Sequence, residues 1–290
     1  MREDKIRAVY QYVQDKTRYI SIQLGIGGFQ PFPATTVDEL GYGDCKALSN
    51  YTYSLLKNVG IESNYTWVYG GSNPPKIDKY FPADRFNHII LCVPNKQDTI
   101  WLECTSQTNP FGYQGTFTGD RDVMIVTEDG GKIVHTTVYG KDVNTEHSIT
   151  KVQVGRDGKA IADVQIKYSG LQYENNSLDW YVDYSEEEQK KWIYKNTEIP
   201  DFIVKEFSFT VNKKQIPSTT QLMTVEIPRL AQPNGKRVFL ELNLLNKSTS
   251  IPKKYNERKT DLILSFQGID VDTIVYEIPE HLHTEYLPEP

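Results

Sequence analysis

The sequence predicts an α+β protein, with a mixed helix-and-strand first part and a β-rich second part. Three observations carry this. Apolar residues recur at helical spacing within the first sixty residues and again around residues 185–194. Short alternating runs bounded by Gly, Pro, Asn and Asp fill residues 63–136 and most of the chain beyond 143. The chain has 290 residues, enough for two domains with separate cores, and its character changes near Val143. The expected division is 1–142 and 143–290, the second part being β-sandwich-like.

Each element has its own signal. Ile6, Val9, Tyr10 and Val13 form one stripe, so residues 3–17 read as an amphipathic helix. Residues 19–22 are a short extended run, and 25–33 a Gly/Pro-rich loop carrying Phe29 and Phe32. A second helix begins near Thr36, with Thr35 or Thr36 as its cap and acids in its first turn. Ala47, Leu48, Tyr51, Leu55 and Leu56 predict a third helix over 44–58, ended by Gly60. Residues 63–69 alternate like a strand, and prolines 74, 75 and 82 make 70–84 a loop. Two hairpins follow. One pairs 88–93 with 99–105; the other pairs 123–126 with 132–136 around Asp129-Gly130-Gly131.

In the second part, 149–154 and 160–166 form a long hairpin about Arg156-Asp157-Gly158. Ser185-Glu186-Glu187-Glu188 is a capping box opening a helix over 185–194. Further strands are expected at 203–211, 223–227, 238–245, 262–266 and 273–278. No cluster of reactive side chains stands out there.

Composition narrows the function. Hydrophobic residues make up 38% and charged residues 24%, as in a soluble globular chain. A net charge of -6 does not suit a partner made of phosphates, so no nucleic-acid role is expected. No apolar run nears the roughly 20 residues that span a bilayer. Met1-Arg2-Glu3-Asp4 leads straight into a helix without a signal peptide, and the Pro-Glu-Pro end reads as a cut edge. Three cysteines, Cys45, Cys92 and Cys104, are too few for a disulfide framework, and no CxxC pair is present. The histidines are scattered. Neither a metal nor a cofactor is expected, and no resolving cysteine lies near enough in sequence for thiol redox chemistry.

The chemistry concentrates at Gly41-Tyr42-Gly43-Asp44-Cys45-Lys46. A glycine-bracketed turn delivers Cys45 to the start of a helix. Helix N-termini carry unpaired N–H groups and about half a positive charge, which favours the nucleophilic thiolate. Asp44 reads as the N-cap of that helix. A thiol nucleophile needs a base, and the base needs an orienting partner. His88 opens a strand directly after a loop and is the candidate base. Glu103, on the expected partner strand within Trp101-Leu102-Glu103-Cys104-Thr105, is the candidate orienter. An acid among such apolar neighbours needs a partner, and an imidazole N–H supplies one. Cys92 and Cys104, in apolar strands, read as small buried hydrophobes.

The order Cys, His, acid, with Gly-Asp-Cys at a helix start, resembles the transglutaminase-like superfamily, the papain-like group of transglutaminases and bacterial protease or amidase homologues. The resemblance covers residues 3–140. The β-rich remainder resembles, more loosely, the C-terminal domain that accompanies this module in bacterial cell-envelope proteins. There a further β-domain commonly precedes it.

The resemblance implies Cys45 as nucleophile, His88 as base and then acid, and Glu103 as orienter. It implies a periplasmic or cell-surface setting, and a peptide, protein or cell-envelope polymer as substrate. The oxyanion hole would combine the Cys45 N–H with a donor from the upstream loop, Gln23 or Gln30, and Tyr42 is a substrate-side candidate. The family places Asp, then Pro or Ala, then Thr at the third position. Here Glu103-Cys104-Thr105 stands instead, one methylene longer.

Two function classes follow. One is cysteine-dependent acyl transfer through a thioester, resolved by water (protease or amidase) or by an amine (transglutaminase). The other is a catalytically silent module that holds a peptide or glycan.

Overall fold

The computed structural model describes residues 1–22, 24–78, 80–81, 83–95, 98–247, 254–255, 257–260, 264 and 266–288. The protein is α+β, and the chain forms two compact units. One comprises Met1–Tyr139 with Lys213–Pro217, the other Gly140–Asn212 with Ser218–Pro290. Among the described residues no helix is long and apolar enough to cross a membrane.

The first unit opens with α1 (Arg2–Lys16), then β1 (Arg18–Tyr19), a 3-10 turn (Gly25–Gly28), α2 (Ala34–Leu40), β2 (Tyr42–Gly43) and α3 (Cys45–Asn58). After these come β3 (Asn64–Val68), β4 (His88–Pro94), β5 (Thr99–Leu102), α4 (Gly115–Thr118), β6 (Asp122–Thr127) and β7 (Gly130–His135). Strands β3 to β7 form an antiparallel sheet in the order β5-β4-β3-β6-β7. β4 is an inner strand, buried on both faces. Leu91 and Val93 pack with Ile6, Tyr10, Val13, Leu48 and Leu56 of the helices. Ile90 and Cys92 pack with Val68, Trp101, Val123 and Ile125 on the other side. That double burial explains why β4 reads as a continuous apolar run and not as an alternation. Each large side chain fully buried here stabilises the fold by roughly 1.5–3 kcal/mol.

One boundary differs from expectation. α2 begins at Ala34 with Pro33 as its N-cap and no side-chain cap. Thr35 and Thr36 lie inside its first turn, and the Thr36 N–H donates to the Pro33 carbonyl at 3.0 Å. Proline's fixed φ sets that entry without a hydroxyl.

The second unit contains β8 (Thr145–Val154), β9 (Ala160–Ser169), α5 (Leu171–Asn175), α6 (Leu178–Tyr181) and α7 (Glu186–Asn196). Its later strands are β10 (Ile203–Asn212), β11 (Ser218–Ile227), β12 (Ala231–Asn234), β13 (Arg237–Leu240) and β14 (Ile269–Glu277). Five strands form one sheet in the order β10-β11-β9-β8-β14, with β14 parallel to β8 and the other pairs antiparallel. β12 and β13 form a separate pair.

The second unit is the β-rich part that the strand spacing announced. Among the described residues, Tyr173, Leu178, Trp192 and Ile193 of the helices cover the apolar face, joined by Leu244 and Leu245. α5 and α6 are too short to show a helical period in the sequence. α7 is capped as predicted, Ser185 Oγ accepting from Glu188 N. The strand expected at 262–266 lies mostly outside the described residues.

Candidate active site

Local backbone chemistry places Cys45. Gly41 ends α2 at φ +69°, a conformation L side chains rarely adopt, and its N–H donates to the Val37 carbonyl at 2.9 Å. Gly43 serves differently: a Cβ there would lie 2.7 Å from the Cβ of Ala47. The chain therefore passes tightly against the first turn of α3. Asp44 caps that turn, its Oδ1 accepting from Ala47 N at 3.0 Å. Its Oδ2 accepts from the Lys46 ammonium, and both residues are buried. Cys45 is the first residue of α3, where helix geometry gives the Cys45 and Lys46 N–H groups no intrahelical acceptor.

Two strands and a helix place the other members. His88 is the first residue of β4, opposite Val68 of β3. Glu103 directly follows β5, one residue past the Leu91–Leu102 pair. α1 pins the segment after β5. Tyr10 Oη donates to the Glu103 carbonyl at 3.1 Å, and Gln14 Nε2 donates to the carbonyls of Ser106 and Asn109 at 2.9 and 3.0 Å.

His88 and Glu103 meet. His88 Nε2 lies 3.0 Å from both carboxylate oxygens of Glu103, and both residues are buried. Thr105 holds the acid from its far side: its Oγ1 donates to Glu103 Oε1 at 2.5 Å and its N–H at 3.2 Å. Cys45 is close enough to the His88 ring to contribute to its raised pKa. With Nε2 engaged by Glu103, Nδ1 is the ring nitrogen left for the thiol.

The electrostatics follow from this packing. Burial works against a charged His88, but the Glu103 charge, with contributions from Cys45 and the Glu103 hydrogen bonds, outweighs it and pushes its pKa up to about 10. Burial also opposes the Glu103 charge. The His88 charge and the bonds from His88 and Thr105 prevail and hold the carboxyl below its ordinary range. The pair is therefore an imidazolium and a carboxylate at neutral pH. Burial also governs the other two thiols. Burial pushes Cys92 up to about 11 and Cys104 up to about 12.

No family model matches the chain, and no curated protein matches it. Among solved structures, the chain is similar to a "putative protease" from Parabacteroides distasonis, at 11% identity and a TM-score of 0.38. The similarity covers 79% of this chain and 46% of that one, so this chain spans about half the length of the protein it matches.

The remaining predicted residues divide. Asp44 is at the site as the cap of α3. Tyr42 lies in β2, paired with Arg18 of β1 and half-buried. Gln30 is exposed. Among the described residues, neither Tyr42 nor Gln30 hydrogen-bonds Cys45, His88 or Glu103. Gln23 lies outside the described residues. The described residues contain no cluster of three or more His, Cys, Asp or Glu side chains able to hold a metal. Sequence reasoning gave no role to Tyr10, Gln14 or Thr105. Only Thr105 carried a signal, as the Thr two places after the acid.

Proposed function

We propose that the first unit is a transglutaminase-like cysteine acyl-transfer module acting on a peptide or carboxamide. The observation that carries this reading is the forked contact of His88 Nε2 with Glu103, which leaves the rest of the imidazole to the Cys45 thiol.

In the proposed cycle Cys45 reacts as a thiolate paired with the His88 imidazolium. The thiolate attacks the substrate carbonyl carbon, forming a C–S bond as the C=O electrons move to oxygen. The Cys45 N–H at the start of α3 donates to that oxyanion. His88 returns its proton to the departing nitrogen, the C–N bond breaks, and a thioester remains. Water, or a second amine, then attacks the thioester with His88 as base and releases Cys45. Glu103 stays ionised throughout. It holds the ring orientation and stabilises the imidazolium, as the acid of a triad does.

Location at a cell surface or in a periplasm, with a peptide, protein or cell-envelope polymer as substrate, belongs to the same proposal. The test is a panel of peptide and amine substrates assayed with the wild type and Cys45→Ala. Release of amine without amine incorporation assigns hydrolysis, and incorporation assigns transamidation. A panel that the wild type turns over no faster than Cys45→Ala, with peptide binding retained, assigns instead a silent binding module.

A further inference from the structure

The wall beside the His88 ring is held far more firmly than a surface loop requires. Phe117, in α4, meets the His88 ring edge to face, with centroids 5.1 Å apart and planes at 61°. Its side chain is 46% exposed, so burial of apolar area in a core does not account for its placement.

Three holds fix it. Arg121, itself buried, directs its guanidinium at backbone carbonyls: Nε to Gly119 at 2.9 Å, Nη1 to Tyr69 at 2.5 Å and Gly71 at 2.8 Å, and Nη2 to Thr116 at 2.6 Å. One side chain thereby ties the 69–71 loop to α4. The Gly71 N–H donates to the Phe117 carbonyl at 3.0 Å. Asn87, the residue before His88, brackets Gly70: it accepts from the Gly70 N–H at 2.6 Å and donates to the Gly70 carbonyl at 3.1 Å. Gly70 is tight against the ring, since a Cβ there would lie 2.6 Å from Phe117 Cζ. Every hold ends on the strip of chain that presses Phe117 to His88.

We propose that Phe117 is a positioning residue for His88, an apolar cover that keeps water from the His88–Glu103 hydrogen bond and fixes the plane of the imidazole. A charge pair excluded from water attracts far more strongly than one in contact with it. The catalytic consequence rests on the reading of His88 as the base. The cover itself does not.

The experiment is solvent exchange of the His88 Nε2–H in protein labelled with 15N-histidine, the resonance assigned by its loss in His88→Gln. The expected result is a slowly exchanging proton in the wild type and about tenfold faster exchange, or more, in Phe117→Ala. Phe117→Tyr should restore slow exchange. Gly70→Ala, which pushes the ring aside, should speed exchange in the wild type and add nothing in the Phe117→Ala background. If Phe117→Ala does not fold, Phe117→Leu and Gly70→Ala decide the matter alone. Unchanged exchange in the folded variants overturns the proposal. Cys45 alkylation that is indifferent to His88→Gln would sink the catalytic reading instead, while the exchange rates still report on Phe117.

Discussion

His88 Nε2 sits 3.0 Å from Oε1 and 3.0 Å from Oε2 of Glu103, a forked contact between two buried side chains. A glutamate reaches the ring here although the resembling family places an aspartate. Thr105 draws Oε1 with two hydrogen bonds, and Tyr10 anchors the Glu103 carbonyl, so the longer side chain is held at both ends. The pair's chemistry and its contribution to stability come from this one geometry.

The pair makes stability depend on pH in two directions. The His88 pKa rises from 6.5 to about 10 on folding, so its contribution is complete below pH 6.5 and is lost as pH rises toward 10. The Glu103 carboxyl is lowered from 4.5, so its contribution is present above pH 4.5 and is lost as pH falls through the lowered value. The Tm advantage of the wild type over His88→Gln should therefore be largest between about pH 4.5 and 6.5 and shrink toward pH 10. Thermal unfolding of both proteins across that range checks this, and an advantage that holds constant to pH 10 contradicts it.

Glu103 should respond to small changes. Glu103→Ala leaves a buried imidazolium without its counter-charge, and loss of one partner of such a pair costs about 3–5 kcal/mol. Glu103→Asp withdraws the carboxylate by one methylene and should lower the alkylation rate of Cys45 with a smaller loss of stability. Thr105→Val removes one hydrogen bond to a charged acceptor, about 1.5–3 kcal/mol. Urea unfolding and alkylation kinetics measure both effects. An Asp variant that alkylates as fast as the wild type shows that the glutamate length is not needed.

Thiol reactivity should single out Cys45. All three cysteines are buried, but Cys92 and Cys104 are pushed up to about 11 and 12, leaving almost no thiolate at neutral pH. Iodoacetamide at pH 7 should modify Cys45 first, as read by peptide mass spectrometry, and His88→Gln should slow that reaction. Equal, slow labelling of all three thiols would remove the chemical basis of the proposed function.

The Asp44–Lys46 pair beside Cys45 makes a coupled prediction. Asp44→Ala loses the helix cap, about 1 kcal/mol, and strands a buried ammonium, about 3–5 kcal/mol more. Asp44→Asn keeps a cap for Ala47 and should be milder. In Lys46→Met the stranded charge is gone, so adding Asp44→Ala should cost little beyond the cap. A double-mutant cycle by denaturant unfolding gives the coupling, and additivity would show that the pair is energetically idle.

Gly43→Ala probes the turn that delivers the thiol. Its new Cβ meets the Ala47 Cβ at 2.7 Å, so the turn or the first turn of α3 must shift. Overpacking of this kind costs about 1–3 kcal/mol. Restoring room with Gly43→Ala/Ala47→Gly should recover Cys45 alkylation, though Gly in the helix keeps part of the stability loss.

Much of this was legible in local sequence. The Ile6, Tyr10 and Val13 stripe gave α1, and Gly43-Asp44-Cys45 gave the start of α3, because both rest on interactions within a few residues. Ser185 and Glu188 gave the start of α7 for the same reason. Where distant chain decides, the sequence was quiet. Pro33 took the capping place expected of Thr35 or Thr36. The β-rich part closed its core with Trp192, Ile193 and Leu178, because short helices and single strands leave too weak a period to announce which surface they cover.

The site divides along the same line. The sequence by itself determined a cysteine at a helix start, a histidine at a strand start and an acid beside the end of the partner strand, since turns, caps and hairpins are local. Only the tertiary structure decided that Nε2 of His88 faces Glu103, that Thr105 and Tyr10 hold that acid, and that Phe117 lies against the imidazole. Apart from Thr105, two positions from the acid, those contacts join residues 15 to 93 positions apart. Burial from several elements at once sets their geometry and their charge, and no local pattern encodes it.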